Sequence, residues 1–278
     1  MTKKILLTAA VLASLLWLRS PVAAQEALET QPATPSAKEL QQQRLAEEIE
    51  QLAEIYRGQL AEYRQAERQF QIDQSQYQQL QTLASIDAVV EAAQTAMRLR
   101  VQVLLTYFEL LRVNLIATEG IEPNLQTAVI QRLEAQQNWL QTHQQAIATA
   151  EDRQEFNQLA DTFTARLPIF TETYQEANSL LLIGTLQDVF NQLDGLSADI
   201  TTTAASNSST IDERDVRETD RVIVSLATQF DGLWSQLTTV LTQRSASGFY
   251  NNLAKNTDPV YADLNKLVSF LDELLRQL

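Results

Sequence analysis

The sequence predicts an all-α protein, an elongated antiparallel helical bundle with long coiled-coil-like helices. Three observations lead there. Gln, Ala, Leu and Glu dominate the composition, and all four favour helix over sheet. Only six glycines and six prolines occur in 278 residues, so helices meet few breaks. Apolar residues recur at steps of three, four and seven, the spacing that lines one face of a helix.

The chain opens on Lys3 and Lys4, followed by an apolar run from Ile5 to Leu18 and the small residues Val22-Ala23-Ala24 before Gln25. That order is the pattern of a secretory signal peptide spanning 1–24, with cleavage after Ala24. As a helix the run would reach about 21 Å at ~1.5 Å per residue, short of the roughly 30 Å hydrocarbon core. The sequence therefore predicts an exported protein, periplasmic, cell-surface or secreted. Arg19, just behind the run, keeps the alternative of an uncleaved anchor open. With no cysteine, an N-terminal lipid anchor on a thiol is excluded.

Residues 25–35 are polar, carry two prolines, and read as a disordered tether. Ser36 and Glu39 then form a capping box that opens a helix running to about Gln81. Along it Ile49, Tyr56, Tyr63, Phe70 and Tyr77 recur at intervals of seven. A strict seven-residue repeat drifts against 3.6 residues per turn, so this seam requires a partner helix. The partner is a neighbouring helix of the same chain or, in the sharper reading, another molecule. A third reading makes the tyrosine ladder a platform for sugar or peptide.

Residues 85–118 are the most apolar, hydrophobic on most sides, as a helix covered by others would be. Arg100, Glu109, Arg112 and Asn114 argue against a membrane span. Glu119-Gly120 stops this helix, and Pro123 suits the first position of the next, which runs to about 148. From Phe156 through Ile200 a long periodic stretch follows, with a kink expected at Pro168 and a bend at Gly184. The bundle of long helices thus covers 36–200.

Thr201 to Ser209 reads as a Ser/Thr-rich loop and the internal boundary. Residues 210–278 supply C-terminal helices that pack on the bundle. A capping box at Thr210–Glu213 opens one that ends near Arg244. After a break at 245–248, Asp258-Pro259 is the start signal of the last. There Val260, Leu264, Leu267, Leu271 and Leu274 form a stripe, and Tyr261, Val268 and Leu275 widen it toward a second neighbour.

Charge and chemistry narrow the function. The net charge is -14, and losing Lys3, Lys4 and Arg19 with the signal peptide makes it -17. That sign disfavours nucleic acid and anionic membrane surfaces as partners. Membrane contact enters only if the signal segment stays uncleaved. An exported chain without cysteine holds no disulfide, so packing alone must stabilise it. A single histidine, His143, cannot build the usual zinc, haem or copper sites. No phosphate-binding glycine loop, nucleophile elbow or calcium loop occurs. The acidic cluster Asp212, Glu213, Asp215, Glu218 and Asp220, interleaved with arginines, suits a solvated helix start. No catalytic residue, cofactor or metal is predicted.

Leu80–Ile86, the apolar helix ending Leu104–Leu111, and Arg132–Leu140 followed by the Phe156 helix resemble a family of uncharacterised, exported, all-helical, coiled-coil-like proteins of small-genome bacteria. The resemblance implies no assigned activity and carries no functional residue across. The leading expectation is a non-enzymatic envelope or extracellular scaffold or adaptor, acting through a protein partner or self-association. A pore-forming or membrane-remodelling protein, with 101–116 as the inserting segment, is the alternative. A ligand-binding helical bundle ranks third.

Overall fold

The computed structural model describes residues 36–150, 152–207, 211–243 and 247–278. Ala24 and the tether at 25–35 lie outside the described residues. The described chain is all-α: α1 Ala37–Leu80, α2 Leu83–Ala117, α3 Pro123–Thr149, α4 Arg153–Asn207, α5 Glu213–Gln243 and α6 Ser247–Leu275. It divides into two compact units, Met1–Leu40 and Gln41–Leu278. In the first, Ser36 and Glu39 make the expected capping box. The Glu39 backbone N–H donates to Ser36 Oγ at 3.2 Å, and the Ser36 N–H donates to the Glu39 carboxylate at 2.6 Å. These bonds pull the Glu39 carboxyl below its ordinary pKa.

In the second unit α1 turns directly into α2. Gln81 adopts a left-handed φ of 48°, and Thr82 caps α2 in a reciprocal box with Ser85. The two helices run antiparallel. Gln42 donates to Glu119, the Tyr56 and Tyr107 rings lie 5.4 Å apart, and Tyr63 feels the charge of Arg100. Residue numbers thus rise on α1 as they fall on α2.

The core draws on α2 through α6. Phe108, Leu133, Phe163, Ile183, Leu226 and Leu267 are among its fully buried members. Each removes a large apolar side chain from water, stabilising the fold by about 1.5–3 kcal/mol. As its sequence implies, α2 exposes no residue from 99 to 115. The helix with most neighbours is α4, which packs against α2, α3, α5 and α6. It passes unbroken through Pro168 and Gly184.

Gly184 serves a close approach. A Cβ on Gly120, in the α2–α3 turn, would stand 2.1 Å from the Gly184 carbonyl oxygen and 2.7 Å from the Asp188 nitrogen. A Cβ on Gly184 would meet Ile121 at 2.3 Å. The two backbones touch here because Gly120 carries no side chain, and the bare Gly184 leaves room for the side chain of Ile121.

Two element boundaries differ from expectation. The predicted loop at Thr201–Ser209 is helical through Asn207, and only 208–209 fall outside the described residues. The hydroxyls of Thr201, Thr202 and Ser206 donate to the carbonyls four residues back, and Ile200 and Ala204 are buried. Hydroxyls that can compete with a helix instead bond along it. Thr210 lies outside the described residues, and α5 is capped by Asp212, whose Oδ1 accepts the Arg214 N–H at 2.8 Å.

The last helix starts at Ser247 rather than at Asp258, and Pro259 sits inside it. Phe249, Tyr250 and Leu253 pack against the core, and the buried Thr257 hydroxyl donates to the Leu253 and Ala254 carbonyls. That burial offsets the roughly 3 kcal/mol cost of an internal proline.

Candidate functional site

The interior polar groups concentrate where α3 faces α4. Spacing on α3 brings Arg132, Gln136, Trp139 and His143 to the side that α4 covers. Arg132 pairs with Glu176 at 2.5 Å, and the Glu176 side chain is only 4 % exposed. Arg132 also donates to the Leu241 carbonyl of α5 at 3.4 Å. One turn on, the buried Gln136 accepts two bonds from Arg166, at 3.0 and 3.2 Å. Burial raises the pKa of the nearby Tyr250 phenol, and Glu176 and Glu172 raise it further. The Tyr250 oxygen is buried without a hydrogen-bond partner among the described residues.

The far end of the seam is aromatic. His143 stacks on Trp139 at 4.7 Å with ring planes 13° apart, and Phe163 lies 5.6 Å away. The Arg166 guanidinium caps Trp139 at 5.4 Å, and the Arg100 guanidinium caps Phe163 at 5.1 Å. His143 is 5 % exposed, its Nε2 has no hydrogen-bond partner among the described residues, and burial lowers its pKa from 6.5. A buried imidazole beside two guanidinium-capped rings is a poor place for a third cation.

A second polar tie joins α2 to its neighbours. Glu109 accepts from Arg112 at 2.6 and 2.9 Å and from Gln137 of α3 at 2.9 Å, and the Arg112 bonds hold its carboxyl below the ordinary range. The Tyr107 hydroxyl accepts from Asn178 of α4 at 3.2 Å, and burial pushes its pKa up to about 12.

The predicted seam of α1 divides. Ile49 is buried, and Tyr56 and Tyr63 turn toward α2, so this part is occupied within the chain. Phe70 and Tyr77 are half-buried farther along. The α3–α4 polar seam was not anticipated as a unit. Its signal is the pair Arg132 and Gln136, four residues apart on an otherwise apolar helix face.

Among the described residues no three His, Asp or Glu side chains converge as metal ligands would. No described helix is long and apolar enough to cross a membrane, 101–116 included. Among the described residues the fold is all-helical, and the polar groups of this seam join helix to helix. No protein-family model, curated protein or solved structure matches this chain.

The histidine gives a pH prediction. A folded-state pKa below the unfolded value means that the unfolded chain binds more protons as pH drops. The His143 contribution to stability is therefore complete above pH 6.5 and declines as pH falls below it toward the folded value. Replacing His143 with Phe should flatten that part of the curve. Urea unfolding at stepped pH checks this, and an unchanged slope in His143→Phe would contradict it.

Proposed function

We propose that the protein is an exported, non-enzymatic helical protein that works through contacts with proteins, as an envelope or extracellular scaffold or adaptor. The supporting observation is the set of large apolar side chains left at the surface. Leu80 and Leu83 flank the α1–α2 turn at 63 % and 81 % exposure, and more stand along α6. Exposed apolar surface grouped in this way marks a contact region. The buried Glu176 and the half-buried Arg132 and Glu109 add support, because they are engaged in joining helices. Export rests on Lys3, Lys4, the apolar run and Ala24, and the resemblance to exported helical proteins of small-genome bacteria accords with it.

N-terminal sequencing of the protein from fractionated bacterial cells tests the address. A chain beginning at Gln25 outside the inner membrane is the expected result. A chain retaining Met1 in the cytoplasmic fraction would overturn the proposal.

A further inference from the structure

On α6 the side that meets the core consists of Val260, Leu264, Leu267, Leu271 and Leu274, all buried. Beside it Tyr261, Val268 and Leu275, each seven residues from the next, stand 37 %, 50 % and 46 % exposed. The same spacing recurs on α4, where Val189 and Leu196 are also exposed. Asp263 of α6 accepts from Ser225 and Gln229 of α5, and Gln187 of α4 accepts from Trp234 of α5. At 100° per residue each stripe lies well round its helix from these contacts, turned away from α5. Among the described residues α6 therefore carries a partly exposed face of coiled-coil spacing, turned away from α5.

The charges beside this stripe select its partner. Asp258, Asn265, Asp272 and Arg276 lie along its solvent side, at 40–80° from Val268 on a helix of 100° per residue. A parallel two-fold copy of α6 would set this flank across from the partner's opposite flank, where Val260, Leu264 and Leu271 are buried, and would leave these charges without partners. An antiparallel copy turned about Val268 sets Tyr261 against Leu275, Arg276 beside Asp258, and Asp272 beside Asn265, each twice by symmetry. Arg276 already bonds Asp272 in its own chain at 2.6 Å, and a guanidinium has five N–H donors, enough for a second carboxylate.

We propose that the Tyr261–Val268–Leu275 face of α6 is the interface of a two-fold dimer in which α6 pairs antiparallel with α6 of a second copy. This rests on the reading of the protein as one that acts through contacts, and it names the surface and the partner. Sedimentation velocity on the full chain and three variants tests it. Val268→Asp puts two carboxylates on the symmetry axis and should weaken association roughly a hundredfold, as loss of a central contact does. Arg276→Asp should weaken it about five- to tenfold, the effect of two exposed ion pairs. Asp258→Arg combined with Arg276→Asp should restore it, which a variant that merely misfolds would not do. Circular dichroism confirms that each variant remains helical. A monomeric wild type, or a dimer indifferent to Val268→Asp, overturns the dimer and leaves the export test above to stand or fall separately.

Discussion

Replacing Arg132 with Met should lower the free energy of unfolding by about 2 kcal/mol, because it takes the ion-pair partner from a buried carboxylate although Arg132 itself is 33 % exposed. The Glu176 side chain is 4 % exposed, so without Arg132 its charge is left in a poorly hydrated interior. The bond from Arg132 to the Leu241 carbonyl is lost as well. Substituting both residues, Arg132→Met with Glu176→Leu, should recover most of the loss, because the desolvation of both charges disappears with them. Urea unfolding measures both effects, and the midpoint should move with the m-value unchanged. A loss below 1 kcal/mol in the single variant would show that the pair does not hold α3 to α4.

Gly120→Ala should be at least as damaging, at about 3 kcal/mol. Overpacking a close contact commonly costs ~1–3 kcal/mol where side chains can shift, and here the obstacle is backbone. The new Cβ would lie 2.1 Å from the Gly184 carbonyl oxygen, so either the α2–α3 turn or α4 must move. Gly58 in α1 makes the control, since a Cβ there meets nothing within 4 Å. Gly58→Ala should raise stability by roughly 0.5–1 kcal/mol through helix propensity alone. Thermal unfolding of the two variants side by side separates them, and a neutral Gly120→Ala would refute the contact.

Much of the fold was legible because it follows from local rules. Helix existence came from spacing, and Ser36, Pro123 and the apolar run from 101 to 116 mark their elements as residue chemistry dictates. What misled were signals that tertiary packing overrides. Thr201–Ser206 carries loop composition, yet burial of Ile200 and Ala204 keeps it helical. Asp258-Pro259 is a strong start signal, yet Phe249, Tyr250 and Leu253 anchor a helix that has already begun. The polar seam was hidden for a related reason. Arg132 and Glu176 lie 44 residues apart, and nothing local to either names the other. The solitude of His143 marks it as structural and its stack on Trp139 is local to α3, whereas its contact with Phe163 depends on how α3 meets α4.

Long helices with sevenfold repeats face an ambiguity of alignment. Phe156, Phe163 and Phe170 lie seven apart on α4, so sliding this helix by seven residues would exchange one phenylalanine for another and leave that part of the core filled. Gly184 continues the same series through Ala177, and it alone fits beneath the α2–α3 turn. A slide in either direction would bring Ala177 or Asn191 to this place, where a Cβ would meet the Ile121 side chain at 2.3 Å. The apolar pattern thus tells α4 which side to bury. The meeting of two bare backbones tells it where to stop.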